Sequence, residues 1–384
     1  MLKITEGSFA VADAVRLSRP GVIAAYPITP QTHIVERLAE MVADGELESE
    51  YITVESEFSA LSACLGASAA GSRTYSATTS QGLALMYEVC FNVAGMRLPI
   101  LMTIANRAMS APLSIWNDQQ DSISLRDSGW IQFYAEDNQE ATDLHFIGYR
   151  AIEDHRVLLP AMVCFDGYIL THTYEPVDIP TEEEVNGYLP PFKPYQRLDA
   201  ADPISFGMYA TPEYYMEFRY EIDQAMQRAN EVIIQAGKEF GEHFGREYGS
   251  LVESYRMDDA DTALVAMGSV CGTIKDAIDE LRSEGKKVGL VRLRTYRPFP
   301  TMELKKALDG VSRVAVLDRN ISLGSKGAVG LEVKDALYGS GIVVLDYIVG
   351  LGGRDIRKKD IAAITALVVQ GKGDMFYGLR TEVL

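Results

Sequence analysis

The first 180 residues alternate short apolar runs with stretches whose apolar positions recur at helical spacing. Gly21–Ala25 (GVIAA) reads as a buried strand ending at Tyr26-Pro27-Ile28-Thr29-Pro30. Gln31–Ala43 follows, with Ile34, Leu38 and Met41 spaced for one helix face. Tyr51–Val54 predicts a strand running into Glu55-Ser56-Glu57, then an Ala/Ser/Gly-rich helix over Phe58–Ala70. Thr74–Ala77 predicts another strand, followed by Thr78-Thr79-Ser80-Gln81-Gly82 and a helix through Ala94. Leu98–Ile104 and Ala161–Phe165 read as further buried strands. Strands alternating with helices imply an α/β parallel sheet covered on both faces, with ligands beyond the carboxyl ends of the strands.

The pattern breaks between 180 and 212, which hold six of the 15 prolines and the acidic run Glu182-Glu183-Glu184. Proline lacks a backbone donor and resists helix interiors and central strands, so an extended surface connector is expected. Thr211-Pro212 suits the start of a long helix to about Phe244, with Met216, Tyr220, Met226, Ile233 and Phe240 as its packing stripe. A second α/β unit begins near Asp258: strand Ala263–Met267, a Gly268-Ser269 turn, helix Thr273–Ser283, and strands Lys287–Leu293, Val314–Leu317 and Ile342–Val344. The expected division is therefore 1–180, a connector with long helix over 181–257, and 258–384.

The 384-residue length agrees with two or three domains. A formal charge of −18 argues against a nucleic-acid surface or a basic membrane-binding face, though one local Arg suffices for a small anion. The N-terminus lacks the apolar core of a signal peptide, and no uncharged apolar run approaches the ~18–20 residues that span a bilayer. A soluble, cytoplasmic chain is expected. Cys64, Cys90, Cys164 and Cys271 are scattered among small or apolar neighbours, with no C-x-x-C. That spacing excludes a zinc ribbon or a ferredoxin-type cluster run. His33, His145, His155, His172 and His243 show no metal spacing either, so no metal ligands are expected.

Two glycine turns invite a nucleotide reading. Gly350-Leu351-Gly352-Gly353-Arg354-Asp355 starts like a dinucleotide loop but lacks the last glycine and leaves too little chain for the unit. Gly268-Ser269-Val270-Cys271-Gly272 could hold an anion on free N–H groups, or be a plain structural turn. Elsewhere, Thr29 sits between two prolines after a buried strand, where its hydroxyl either meets a ligand or caps the next helix. Glu57, at a strand-to-helix junction, is either a cap or a buried functional carboxyl. Arg107 interrupts the apolar stretch Met102–Ala111 and needs an anionic partner, either an internal Asp/Glu or a substrate carboxylate. The polar–aromatic loops Trp116–Asp121 and Arg126–Trp130 read as binding surfaces, subunit contacts or packed loops.

Taken together, YPITPQTHIVERL, VESEFSALSACLGASAAGSRTYSATTSQGLALMYE, RLPILMTIANRAMSAPLSIWND, MGSVCGTIKDAIDELR and KVGLVRLRTYRPFP resemble the α subunits of the 2-oxoacid:ferredoxin oxidoreductases, especially the pyruvate-oxidising ones. The resemblance runs in order along nearly the whole chain. It implies a thiamine diphosphate pyrimidine-binding domain followed by a transketolase C-terminal-like domain. It further implies CoA-dependent oxidative decarboxylation of a 2-oxoacid, with pyruvate giving acetyl-CoA. Branched-chain or aromatic 2-oxoacids (2-oxoisovalerate, phenylglyoxylate or indolepyruvate type) are the alternative substrates. A scaffold subunit that keeps only the fold is the non-enzymatic one.

The same resemblance makes Glu57 the catalytic carboxyl at N1′ of the aminopyrimidine. There it favours the imino tautomer, whose exocyclic nitrogen can remove the C2 proton of the thiazolium. Thr29 and Arg107 match the substrate-carboxylate ligands, and Tyr26, Pro27, Ile28, Ser80 and Gln81 join Glu57 around the cofactor. The diphosphate- and Mg²⁺-binding signature G-D-G…N is missing; Phe165-Asp166-Gly167 is the nearest approach. The diphosphate and Mg²⁺ side is therefore assigned to a partner β subunit. A γ subunit would handle CoA, a ferredoxin-like δ subunit would carry [4Fe-4S] clusters, and the whole would form a dimer of hetero-oligomers. Gln119-Gln120 depart from the family, where His-Ser often follows W-N-D, and Met109 stands where Leu is frequent.

Overall fold

A computed structural model describes all 384 residues. Its centre is a seven-stranded sheet in the order Thr295–Arg297, Ile131–Tyr134, Ala161–Asp166, Leu101–Asn106, Thr74–Thr78, Val22–Ala25, Glu50–Thr53. All neighbours are parallel except the first pair, in which Thr295–Arg297 runs antiparallel to Ile131–Tyr134. A second, six-stranded sheet has the order Met375–Phe376, Val343–Ile348, Arg313–Asp318, Thr262–Ala266, Val288–Leu293, Val252–Tyr255, with only the last strand antiparallel. Leu2–Glu6 and Tyr174–Asp178 form a separate antiparallel pair. No helix is long and apolar enough to cross a membrane.

The central strands are buried along their whole length, as the continuous apolar runs require when helices cover both faces. The helix Thr32–Ala43 buries Ile34, Leu38 and Met41 as its spacing predicts. Four expectations shift. Pro99 delays the strand expected over Leu98–Ile104 to Leu101–Asn106. The helix expected through Ala94 is two, Ser80–Leu85 and Tyr87–Gly95, meeting at Met86. The proline-rich connector contains a helix, Glu182–Tyr188. There Thr181 accepts from the Glu184 N–H and the Glu184 carboxylate accepts from the Thr181 N–H at 2.7 Å, a reciprocal cap that the acidic run itself supplies. The long helix spans Tyr215–Phe244, because Thr211 instead closes a turn by accepting from the N–H groups of Tyr214 and Tyr215. Of its expected stripe, Ile233 and Phe240 are buried and Met226 is half-buried, but Met216 and Tyr220 face solvent.

The two sheets are joined by charge as well as by chain. Arg292 and Arg294, on and just after a strand of the second sheet, both grip Glu140 of the helix Asn138–Ile152 at 2.6 Å. Burial alone would raise the Glu140 pKa, but the two guanidinium charges and their hydrogen bonds outweigh it and hold the carboxyl at about 2. Because the native pKa lies below the ordinary 4.5, the stabilisation is complete above 4.5 and is lost as pH falls toward 2. Glu140→Gln leaves two buried cations short of a partner and is expected to cost about 3–5 kcal/mol. Denaturant unfolding at pH 7 and pH 3 measures it, and the gap between parent and variant should narrow at pH 3.

Candidate functional site

Three adjacent strands, Val22–Ala25, Thr74–Thr78 and Leu101–Asn106, end side by side. Their carboxyl ends deliver three of the segments singled out in the sequence: Tyr26–Pro30, Thr79–Gly82 and Arg107. Gln31 locks the first segment down, its Nε2 donating to the Ala77 carbonyl at 2.7 Å and its Oε1 accepting from the Ile28 N–H at 3.2 Å. Tyr26 and Pro27 are exposed and Ile28 is half-buried.

Glu57 opens the helix Glu57–Ala69, but the cap is Ser56, whose hydroxyl accepts from the Ser59 N–H at 3.3 Å. The capping role is thus taken by its neighbour. Glu57 is 7% exposed and its carboxyl has no hydrogen-bond partner in the protein. It lies directly over Gly82: a Cβ there would sit 2.7 Å from Glu57 Oε1 and 2.5 Å from Thr78 Oγ1. Thr78 Oγ1 beside it is buried and unpartnered, as is Nε2 of Gln81, the residue before Gly82. A buried acceptor beside unsatisfied polar atoms costs stability unless something else meets them. These residues fit the polar edge of an aminopyrimidine.

Arg107 is 6% exposed and pairs with no carboxylate side chain. Its guanidinium donates to the Thr29 carbonyl at 2.7 Å, the Ser114 carbonyl at 3.2 Å and Gln81 Oε1 at 3.2 Å. Burial lowers its pKa and Asp121 opposes that shift. A buried cation held by neutral dipoles is ready for an incoming carboxylate. Thr29 takes part through its carbonyl, and its hydroxyl does not cap the following helix, whose start has no side-chain cap. Residues 80–82 connect the two halves of the site, with Gln81 on Arg107 and Gly82 under Glu57.

Asp121 escaped the sequence reading. It is 1% exposed, and its carboxylate accepts from the Ser80 N–H at 3.0 Å, the Arg107 N–H at 3.0 Å, Asn106 Nδ2 at 2.7 Å and the Ser122 N–H at 2.8 Å. It thereby holds the turn after one central strand and the end of the next, with Ser80 in a left-handed conformation at φ 45°. Burial pushes its pKa up to about 7 while the four donors oppose the rise. Its only sequence signal was an acid at the end of a W-N-D-Q-Q-D loop.

The same loop explains the two departing glutamines. Gln119 Nε2 donates to the Met267 carbonyl at 3.0 Å and Gln120 Oε1 accepts from the Ile321 N–H at 2.9 Å, so both face the second sheet's unit. The Gly268-Ser269 turn is also an internal contact. The Ser269 N–H donates to Asp166 at 2.9 Å, and Arg319 donates to the same carboxylate at 2.7 Å. The protein's own Asp166 is the anion on that turn. All four cysteines are free and buried.

The fold and site together define a thiamine-type α/β domain joined to a second parallel α/β unit. Residues 13–238 match the family profile "Pyruvate flavodoxin/ferredoxin oxidoreductase, thiamine diP-bdg", and 260–361 match "Pyruvate:ferredoxin oxidoreductase core domain II". The chain is 57% identical to pyruvate synthase subunit PorA of Methanothermobacter thermautotrophicus over 95% of its own length and 94% of that protein's. It is 50% identical to ketoisovalerate oxidoreductase subunit VorA of Pyrococcus horikoshii over 94% and 92% of the two lengths. A 2-oxoglutarate:ferredoxin oxidoreductase from Magnetococcus marinus, solved with 2-oxoglutarate, coenzyme A and succinyl-CoA bound, shares the fold. The TM-score is 0.72 at 19% identity, over 96% of this chain and 65% of that one. The chain belongs to the pyruvate flavodoxin/ferredoxin oxidoreductase family and is a subunit-type member of it.

Asp121→Asn replaces acceptors with an amide donor facing N–H groups. The expected cost is about 1–3 kcal/mol, with the amides of Ser80 and Arg107 exchanging hydrogen earlier than the rest of the sheet. Native-state hydrogen exchange measures both.

Proposed function

We propose that this chain is the α subunit of a multi-chain, thiamine diphosphate-dependent 2-oxoacid:ferredoxin oxidoreductase. The assembled complex converts pyruvate, CoA and two oxidised ferredoxins to acetyl-CoA, CO₂, two reduced ferredoxins and one proton. The observation that carries this reading is the buried, carboxylate-free Arg107 sharing one turn, residues 80–82, with the unpartnered carboxyl of Glu57.

In this reading Glu57 holds a proton at N1′ of the aminopyrimidine, and Gly82 leaves the space for that contact. Bound thiamine diphosphate supplies a carbanion-forming carbon and an electron sink for decarboxylation. Gln81, Ser80 and the Tyr26–Ile28 backbone wall that ring. Arg107 and Thr29 bind the 2-oxoacid carboxylate and fix its orientation. Because Arg107 also donates to three protein oxygens, its charge orients the carboxylate without fully neutralising it, which keeps CO₂ loss favourable.

The diphosphate, its Mg²⁺ and the [4Fe-4S] clusters are assigned to partner chains: a β subunit, a γ subunit and a ferredoxin-like δ subunit, in a dimer of hetero-oligomers. That assignment is supported by the missing G-D-G…N and cysteine-cluster sequences. A second reading has 2-oxoisovalerate as substrate, favoured by the 50% identity to a ketoisovalerate oxidoreductase subunit.

Assayed as the assembled complex with viologen reduction as readout, Glu57→Ala should lose on the order of 10²–10⁴ in rate with assembly intact. Full activity would remove Glu57 from the proton relay. Arg107→Met should raise KM for the 2-oxoacid by at least tenfold while thiamine diphosphate binding, measured by calorimetry, stays within twofold. A panel of pyruvate, 2-oxoisovalerate and phenylglyoxylate, compared by kcat/KM, decides between the two substrate readings.

A further inference from the structure

Tyr168 is not used by any step above. It follows the strand Ala161–Asp166, which pairs with Leu101–Asn106, the strand that delivers Arg107. Between strand and tyrosine, Gly167 donates its N–H to the Asn106 carbonyl at 3.0 Å, and a Cβ on it would sit 2.7 Å from Pro30 Cγ. The chain thus passes against the neighbours of both Arg107 and Thr29 immediately before it reaches Tyr168.

The tyrosine is held there under strain. Its φ is 63°, and it is the one aromatic residue of the chain in the left-handed region. A bulky side chain in that region is costly and persists only where its surroundings impose it. Here they do. The Tyr168 N–H donates to Thr171 Oγ1 at 2.8 Å, and the same hydroxyl meets His172 Nδ1 at 2.7 Å. The ring stacks on His172 with centroids 4.9 Å apart and meets the Trp116 ring at 4.9 Å. Trp116 is tied in turn to the residue after Arg107, its carbonyl accepting from the Ala108 N–H at 2.9 Å.

While the ring is pinned, its hydroxyl has no hydrogen-bond partner in the protein. The phenol lies near enough to bear on the guanidinium: burial lowers the Arg107 pKa, and Asp121 and then Tyr168 oppose that shift. A free O–H beside a cation that lacks a carboxylate partner offers an incoming carboxylate a second, neutral donor.

We propose that Tyr168 is a substrate-binding residue whose phenol donates a hydrogen bond to the carboxylate of the bound 2-oxoacid, beside Arg107. This rests on the function proposed above and adds a member to the pair Thr29 and Arg107. A neutral donor tightens the hold on the carboxylate without adding positive charge, so it does not oppose the loss of CO₂.

The test uses the assembled complex, with pyruvate turnover as one readout and calorimetric binding of oxamate, an isosteric and unreactive mimic of pyruvate, as the other. Tyr168→Phe keeps the stacked ring and removes one oxygen. It should raise KM for pyruvate and weaken oxamate by about tenfold each, with KM for CoA, thiamine diphosphate affinity and thermal midpoint unchanged. Added to Arg107→Met, it should raise KM by less than about threefold, because both donors serve one carboxylate. Tyr168→Gly, which suits a positive φ, should assemble and show at least the loss of Tyr168→Phe. Unchanged pyruvate and oxamate affinities in either variant would overturn the contact. So would a tenfold loss that persists undiminished in the Arg107→Met background. A parent complex that oxidises no 2-oxoacid would refute the proposed function, yet oxamate binding weakened there by Tyr168→Phe would leave the carboxylate contact standing. A parent complex that neither oxidises a 2-oxoacid nor binds oxamate would overturn both.

Discussion

A single buried carboxylate sets the geometry of the site. Asp121 accepts the backbone N–H groups of Ser80 and Arg107, which follow two neighbouring strands, and so fixes the spacing between the turn over which Glu57 lies and the guanidinium that faces Thr29. Burying an acid of this kind is costly, and four donors on one carboxylate are what offset the cost. A neutral side chain at 121 would leave two buried amide hydrogens unmet, and the left-handed backbone at Ser80 would lose its anchor.

A second constraint is the junction between the sheets. Strand Thr295–Arg297 lies in the chain between strands of the second sheet but pairs with the first, so the two units share hydrogen bonds and cannot hinge freely there. Asp166 binds Ser269 and Arg319, Glu140 binds Arg292 and Arg294, and Gln119 and Gln120 reach the second unit from the loop that also carries Asp121. The loop therefore couples Arg107 to the interface. A polar change at 119 or 120 acts directly on this junction.

The net charge of −18 is a sum over the whole chain, and it conceals two local reversals. One is Arg107, buried without a carboxylate partner. The other is a cleft beside Gly350–Gly353, where four basic side chains meet two acids.

Periodicity and punctuation in the sequence determined the parallel α/β class, the strands that carry the site, the placing of Thr29 and Glu57 just after strands, and Arg107 as a lone cation in an apolar stretch. Motif order added the family. These features are local, governed by burial of alternating runs and by proline and glycine conformations that need no partner. The helices Gly7–Ser18 and Asn138–Ile152 stayed hidden because they are buried nearly all round and carry polar residues whose partners are remote. His145 is an example, meeting Thr103 at 2.6 Å. The roles of Asp121, Gly82, Gln119 and Asp166 were decided only in three dimensions. Each depends on contacts with groups between 14 and 153 residues away, or on a missing Cβ, and a hydrogen bond across that distance leaves no period in the chain.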